Sequence, residues 1–356
     1  MAYREWRMAT LDSLRKSEVS KSTALGALLL TLSTPCAVLL TLYSSAFAQQ
    51  PAAGRMPRIG YLTGSGDSNN PGPSVQAFRQ GLQELGYVEG KNILVEYRYP
   101  EGQLERIPSL VAELMQLKVE VFVSPTLTAI LAAKQATKTI PIVMVINGNP
   151  VSLGLVDSLA RPGGNITGIT RLNRELSGKR LKLFKEVVPG LSRIGVLIDA
   201  GQTISGNALE EYEAASRALK IPLTSLKVRG PKPDLEGAFR EAVKGRVSAI
   251  ISVRAGDLTR YTKNIVALAI KHRLPLMFEG SNFIEDGGLV SYSASDAEVY
   301  FRAATHVDKI LRGAKPADLP VEQPTKFEFI INLKAAKQIG LTIPPNVLAR
   351  ADRVIR

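Results

Sequence analysis

The sequence predicts an α/β protein made of two Rossmann-like lobes in tandem, each a doubly wound parallel sheet, joined by a multi-crossover hinge. Three observations carry this. Short apolar runs alternate with segments of helical period from Arg58 onward. The series ends near Thr170 and restarts with a helix at Gly178 and a strand at Arg193, in the same wiring, although the residues themselves do not repeat. A strand, a helix and a further strand then follow the second series, which implies that the chain returns between the lobes.

In order, Arg58–Leu62 is a first strand, and a Gly-, Ser-, Asn- and Pro-rich loop runs from Thr63 to Ser74. Val75, Phe78, Leu82 and Leu85 then recur at helical spacing, closed by Gly86. Asn92–Tyr97 is the second strand. The next helix places Leu104, Ile107, Leu110, Val111, Leu114 and Leu117 on one face. Val119–Val123 is a strand, Thr126–Ala136 a helix, and Ile140–Ile146 an almost unbroken apolar strand of the kind covered on both faces. A short helix is expected at Ser152–Ala160, before the strand Ile166–Thr170.

The second series begins with a helix at Gly178–Val188 and a strand at Arg193–Asp199. Helix Ala208–Leu219, strand Leu223–Val228, helix Leu235–Lys244 and strand Ser248–Val253 come next. Helix Leu258–Arg273 and strand Leu276–Glu279 end it, and the late elements are Leu289–Ser293, Asp296–Leu311 and Lys326–Asn332. The expected organisation is a leader at 1–48, a spacer at 49–57, a first lobe at 58–172 and a second at 173–288. Return segments near 290–325 belong to the first lobe, and those near 326–356 to the second.

The leader is read from its order of parts. Five basic residues, Arg4, Arg7, Arg15, Lys16 and Lys21, precede an apolar run from Ala24, which ends in Ala46-Phe47-Ala48, a small-residue cleavage signal. The expectation is export to the periplasm, with the leader removed and no stable membrane insertion afterwards. The single Cys36 and the single Trp6 both lie in the leader. The whole chain carries a formal charge of +13, and the remainder keeps 40 basic against 29 acidic residues. That excess is spread over amphipathic faces, without a Lys/Arg tract, so no nucleic-acid partner is expected.

Catalytic motifs are missing. The sequence contains no phosphate-binding G-x-x-x-x-G-K-[S/T] and no G-x-S-x-G elbow, and Gly64-Ser65-Gly66 lacks the third glycine of a dinucleotide fingerprint. Two histidines, His272 and His306, and no cysteine outside the leader make a poor zinc set. No catalytic residues, metal or cofactor are expected, and the protein is read as a binder of small molecules.

In doubly wound sheets ligands meet the loops at the carboxyl ends of the strands. Those loops run through Thr63–Ser74, Ser124–Thr128, Asn147–Ser152, Ala200–Asn207, Arg254–Asp257 and Gly280–Phe283. The candidate ligand-binding residues are Gly64, Ser65, Ser124, Thr126, Asn147, Asn149, Asp199, Arg254, Asp257 and Glu279. Hydroxyls and backbone amides near Ser65, Thr126 and Asn149 would hold one end of a ligand, and Arg254 or a carboxylate of the second lobe the other. Tyr61, Phe278 and Tyr292 are the candidate cleft aromatics.

Several stretches carry a family resemblance by their order. They are RIGYL, AFRQGLQELGYVEGKNILVEYR, AAKQATKTIPIV, NPVSLGLVDSLARPGGNITGIT and LSGKRLKLFKEVVPGLSRIGVL. AATHVDKILRGAKPADLPVEQPTKFEFIINLKAAKQIGLTIPP and the closing ADRVI follow. From about Arg58 to Ile355 the chain resembles the substrate-binding proteins of ABC transporters, of the tryptophan/tyrosine-binding type with a type I periplasmic-binding fold. The resemblance implies two lobes closing over a ligand about a three-stranded hinge, and a membrane permease with its ATPase as partners. It points to an amino acid or another carboxylate-bearing metabolite. The chain departs from the family at Asn149-Pro150-Val151, where Asp-Pro-Val is usual, so the counter-charge for a ligand ammonium falls to Asp199, Asp257 or Glu279. A sensory protein of the same fold, presenting its ligand to a membrane receptor, is the alternative. A repressor of this fold would need a DNA-binding segment where this chain has its leader.

Overall fold

The structure, a computed structural model, describes residues 56–64, 66–171, 176–201, 203–230, 232–254 and 256–356. The predicted leader, most of the spacer and Ser65 lie outside the described residues. The first sheet contains β1 (Arg58–Leu62), β2 (Leu94–Arg98), β3 (Val121–Ser124), β4 (Ile142–Ile146) and β5 (Ile166–Thr170). All pairings are parallel, in the order β2-β1-β3-β4-β5. Its helices are α1 (Gly72–Glu84), α2 (Ile107–Gln116) and α3 (Leu127–Ala136).

β4 shows why both faces need cover. Val143 and Val145 point into one cluster and Ile142, Met144 and Ile146 into the other, and all five are buried. Strand alternation therefore places apolar side chains on both faces, and an uncovered face would expose them. The edge strand β2 is only half buried, and ion pairs Arg98–Glu113 at 3.1 Å and Arg98–Glu96 at 3.7 Å lie along it. Charge on an edge discourages pairing with another strand.

The second sheet repeats the wiring with β6 (Ile194–Asp199), β7 (Leu223–Val228), β8 (Ala249–Ser252), β9 (Leu276–Phe278) and β10 (Val290–Ala294), paired in parallel in the order β7-β6-β8-β9-β10. β11 (Phe327–Asn332) then adds antiparallel to β10, and β12 (Arg353–Ile355) parallel to β11. Its helices are α4 (Leu176–Val187), α5 (Thr203–Leu219), α6 (Leu235–Lys244), α7 (Thr262–Lys271) and the short α8 (Asn282–Glu285). After β10 come α9 (Asp296–Leu311), α10 (Leu333–Ile339) and α11 (Pro345–Leu348).

The chain passes between the sheets three times. It leaves the first after β5, returns between β10 and α9, and leaves again between Glu322 and β11. Helix α9 covers the first sheet, burying Val299, Tyr300, Ala303, Ala304 and Val307 beside Val75, Phe78 and Leu82 of α1. Glu322 then bridges to Ile169, extending the edge at β5 before the last crossing.

Three expectations need correction. Residues 152–160 form successive turns, not a helix: Gly154 has φ +64°, and Leu155 and Asp157 donate to Pro150 and Pro162. The helix expected at Leu258–Arg273 is divided into a 3-10 turn at Gly256–Arg260 and α7, with Tyr261 between them. Residues 290–294, expected in a return segment of the first lobe, pair with β9 and β11 in the second sheet, so the chain returns only at Ser295.

Candidate functional site

Both strand orders reverse beside their first strand, and crevices open at the carboxyl ends of the strands there. A cavity of about 1020 Å³ lies at those ends. From the first lobe it is lined by Thr63 and Gly64 after β1, Thr126 and Thr128 after β3, Asn147 after β4 and Arg171 after β5. From the second lobe come Arg254 after β8, Thr259, Arg260, Glu285 and Asp286, while Asp296 and Tyr300 of α9 add to the first lobe's side. A smaller cavity of about 20 Å³ is lined by Asn149, Ser177, Asn207, Glu211 and Glu279. Asn147 and Arg254 line both.

The lobes are joined at Arg254. The Asn147 side-chain amide donates to the Arg254 carbonyl at 3.0 Å. Arg254 Nη1 donates to both Asp296 oxygens, at 2.9 and 3.0 Å, and Arg171 Nη2 donates to Asp296 Oδ1 at 2.6 Å. On the other side the Arg254 backbone N–H donates to Glu279 Oε2 at 3.1 Å. Glu279 is fixed in turn by Arg180 at 3.0 Å and the Tyr212 hydroxyl at 2.7 Å. A continuous line of charge-assisted hydrogen bonds thus runs from the second lobe's interior, through Arg254, to the first lobe. Arg260 makes a further approach between the lobes: a Cβ built on Gly102 would lie 2.5 Å from its guanidinium.

Burial alone would raise the Asp296 carboxyl, and it is the largest single influence. The adjacent Arg254 and Arg171 outweigh it and hold the carboxyl below its ordinary range. For Arg254 burial acts downward, yet Asp296 leaves the guanidinium above its ordinary value. Tyr212 is pushed well up, first by burial and then by the Glu279 charge. Within this hydrogen-bonded line the guanidinium groups of Arg171, Arg180 and Arg254 meet the carboxylates of Glu279 and Asp296. Arg171 Nε is buried and has no hydrogen-bond partner among the described residues.

Of the residues expected to bind ligand, Gly64, Thr126, Asn147 and Arg254 come together on the large cavity. Gly64 stands so close to Thr126 that a Cβ would lie 3.0 Å from its hydroxyl. Ser124 is buried behind them, donating to the Leu62 carbonyl at 2.7 Å and accepting from the Thr126 N–H. It shapes the loop. Asn149 lines the small cavity, and its side-chain oxygen accepts from Val151 N–H at 2.9 Å, capping a turn. Asp199 accepts from the Gly201 N–H at 3.0 Å and lines neither cavity. Glu279 faces the small cavity and is engaged by Arg180, Tyr212 and the Arg254 N–H. Ser65 and the Asp257 side chain lie outside the described residues.

The candidate aromatics lie elsewhere. Tyr61 packs on Phe78 at 5.0 Å in the first core, Phe278 stacks on Phe283 at 4.6 Å in the second, and Tyr292 packs against Phe327 and Phe329. The cavity's aromatic is Tyr300, with the Arg171 guanidinium 5.7 Å from its ring centre. Sequence reasoning missed Tyr300, Asp296 and Arg171. Arg171 and Asp296 follow the carboxyl ends of β5 and β10, so the rule that selected Arg254 also reaches them.

The sequence model of the ABC transporter substrate binding protein family matches residues 68–355. The chain is 24% identical over 271 residues to the tyrosine-binding protein of Clostridioides difficile, covering 75% of this chain and 76% of that one. A conserved domain protein of Vibrio cholerae superposes with a TM-score of 0.76 at 25% identity, covering 84% of this chain and all of its own. An ABC domain from Streptococcus pneumonia, solved in complex with L-Trp, superposes with a TM-score of 0.72 at 25% identity, covering 83% of this chain and all of its own. The fold is that of the two-lobed type I periplasmic-binding proteins.

Proposed function

Since the chain belongs to the ABC transporter substrate binding protein family, we propose that it captures a carboxylate-bearing small molecule, an amino acid among the class, in the large cavity and delivers it to a membrane permease and its ATPase. The members of this family bind solutes and are not enzymes. The observation that carries the reading is the cavity of about 1020 Å³ at the strand ends of both sheets, where Arg171 and Arg254 share one carboxylate. The Arg171 and Arg254 guanidinium groups that line the cavity would bind a ligand carboxylate. The acids around the cavity, Asp67, Glu285 and Asp286, offer a counter-charge to a ligand ammonium. Asn149 faces the small cavity, so its missing acid does not bear on the large one.

Ligand contacts from both lobes favour a closed arrangement about the three crossings, because only there does one molecule touch both sides. Export by the predicted leader would place the protein in the periplasm, where such proteins meet their solutes. Among the described residues no helix is long and apolar enough to cross a membrane.

Thermal melting in the presence of amino acids tests the reading, with each compared to its amine and its deaminated acid. Saturation at a hundredfold excess over Kd stabilises the folded state by roughly 2.7 kcal/mol, a rise of several degrees. Acids should raise the melting temperature and amines lacking the carboxylate should not. Equal shifts from the amines, or none from any acid, would overturn the proposal.

A further inference from the structure

We propose that Asp296 is an interlobe clasp: its carboxylate holds Arg254 of the second lobe against Arg171 of the first, drawing the lobes together before any ligand arrives. The inference rests on the cleft reading above and adds a control to that site. Asp296 is the first residue of α9, the helix that returns to cover the first sheet. Arg171 follows β5 of that sheet, and Arg254 follows β8 of the other. The three side chains are 15%, 4% and 12% exposed, so little water competes for the contacts. The contacts to Arg254 from Asp296 and Asn147 both pass between the lobes, and together they fix its side chain and its carbonyl.

Charge gives the clasp its direction. With Asp296 ionised, each guanidinium group has a shared counter-ion. With an amide there, two nearly buried cations lose their shared counter-ion, and their repulsion favours separation of the lobes. The Arg254 main chain cannot yield locally, because its N–H is held by Glu279 and its C=O by Asn147. The load therefore falls on the crossings. Asp296 acts through the arginines as a positioning residue, and it keeps both oriented towards the cavity that they line.

The test is the interlobe distance in the full chain without ligand. Nitroxide labels at Gln135→Cys on α3 and Arg240→Cys on α6, both exposed positions, report it by pulsed electron resonance after Cys36→Ser removes the remaining thiol. The parent should give one short-distance population. Asp296→Asn should add a longer population, and Asp296→Glu, which keeps the charge, should restore most of the short one. A distribution for Asp296→Asn that coincides with the parent's overturns the proposal. So does a longer population that Asp296→Glu leaves as large, since that effect would not depend on the charge. Should Asp296→Asn lose its native circular dichroism, Arg254→Gln releases the same contact from the other lobe and is read in the same way. Failure of every carboxylate in the melting screen would sink the capture reading alone, because these distances are measured without ligand.

Discussion

Arg180 is wholly buried, and the cost is offset by Glu279 Oε1 at 3.0 Å and the Tyr292 carbonyl at 2.9 Å, which accept from its guanidinium. Removing one member of a buried pair leaves the other uncompensated. Arg180→Met should therefore destabilise the fold by about 3–5 kcal/mol in urea unfolding, while Tyr212→Phe, which leaves Glu279 its other donors, should cost about 1.5–3 kcal/mol. Asp296 makes a pH-dependent contribution of known sign. Its folded carboxyl titrates below the unfolded value, so the stabilisation is complete above about pH 4 and is lost as pH falls through the lower, folded value. Melting temperature measured downwards from pH 5 should fall less steeply in Asp296→Asn than in the parent. Arg254 and Asn147 were legible in the sequence because both follow apolar strands. Asp296 also follows a strand but was passed over, since an acid in the first turn of a helix is already explained by the helix dipole. Its partners lie 125 and 42 residues away.

Among the elements, the contact between α1 and α9 shows what helical period alone leaves open. The apolar stripe of α1 was readable, and so was that of α9 with its bounds at Asp296 and Leu311. That they pack on each other was not. Gly81 permits the approach: a Cβ there would lie 3.0 Å from both the Ala304 Cβ and the Phe301 Cα. Gly81→Leu should force the helices apart and cost about 1–3 kcal/mol, read as a lowered melting temperature. At 152–160 the sequence reading expected a short helix. Tertiary contacts prevailed, since the Leu159 carbonyl accepts from Val321 N–H at 2.8 Å and Leu155 and Val156 are buried in the first lobe's core. A turn-rich path lets that segment follow the sheet.

For the molecule as a whole, the return of α9 makes the first lobe depend on residues more than a hundred positions beyond β5. A chain ended at Ala294 would leave Val75, Phe78 and Leu82 without the helix that covers them. That truncation should lose its near-ultraviolet circular dichroism and bind a hydrophobic dye, whereas the full chain does neither. Under the capture proposal, opening would bend the chain at the three crossings, because each sheet keeps its own clusters on both faces.

By itself the sequence determined the two doubly wound lobes, their strand ends and the absence of known catalytic motifs, because apolar periodicity and turn chemistry are local properties. Only the tertiary structure decided where the second sheet ends, which aromatic reaches the cavity, and which carboxylate joins Arg171 to Arg254. Those outcomes depend on the packing of α9 and on charges brought together from distant positions, and no local pattern encodes a distance between two lobes.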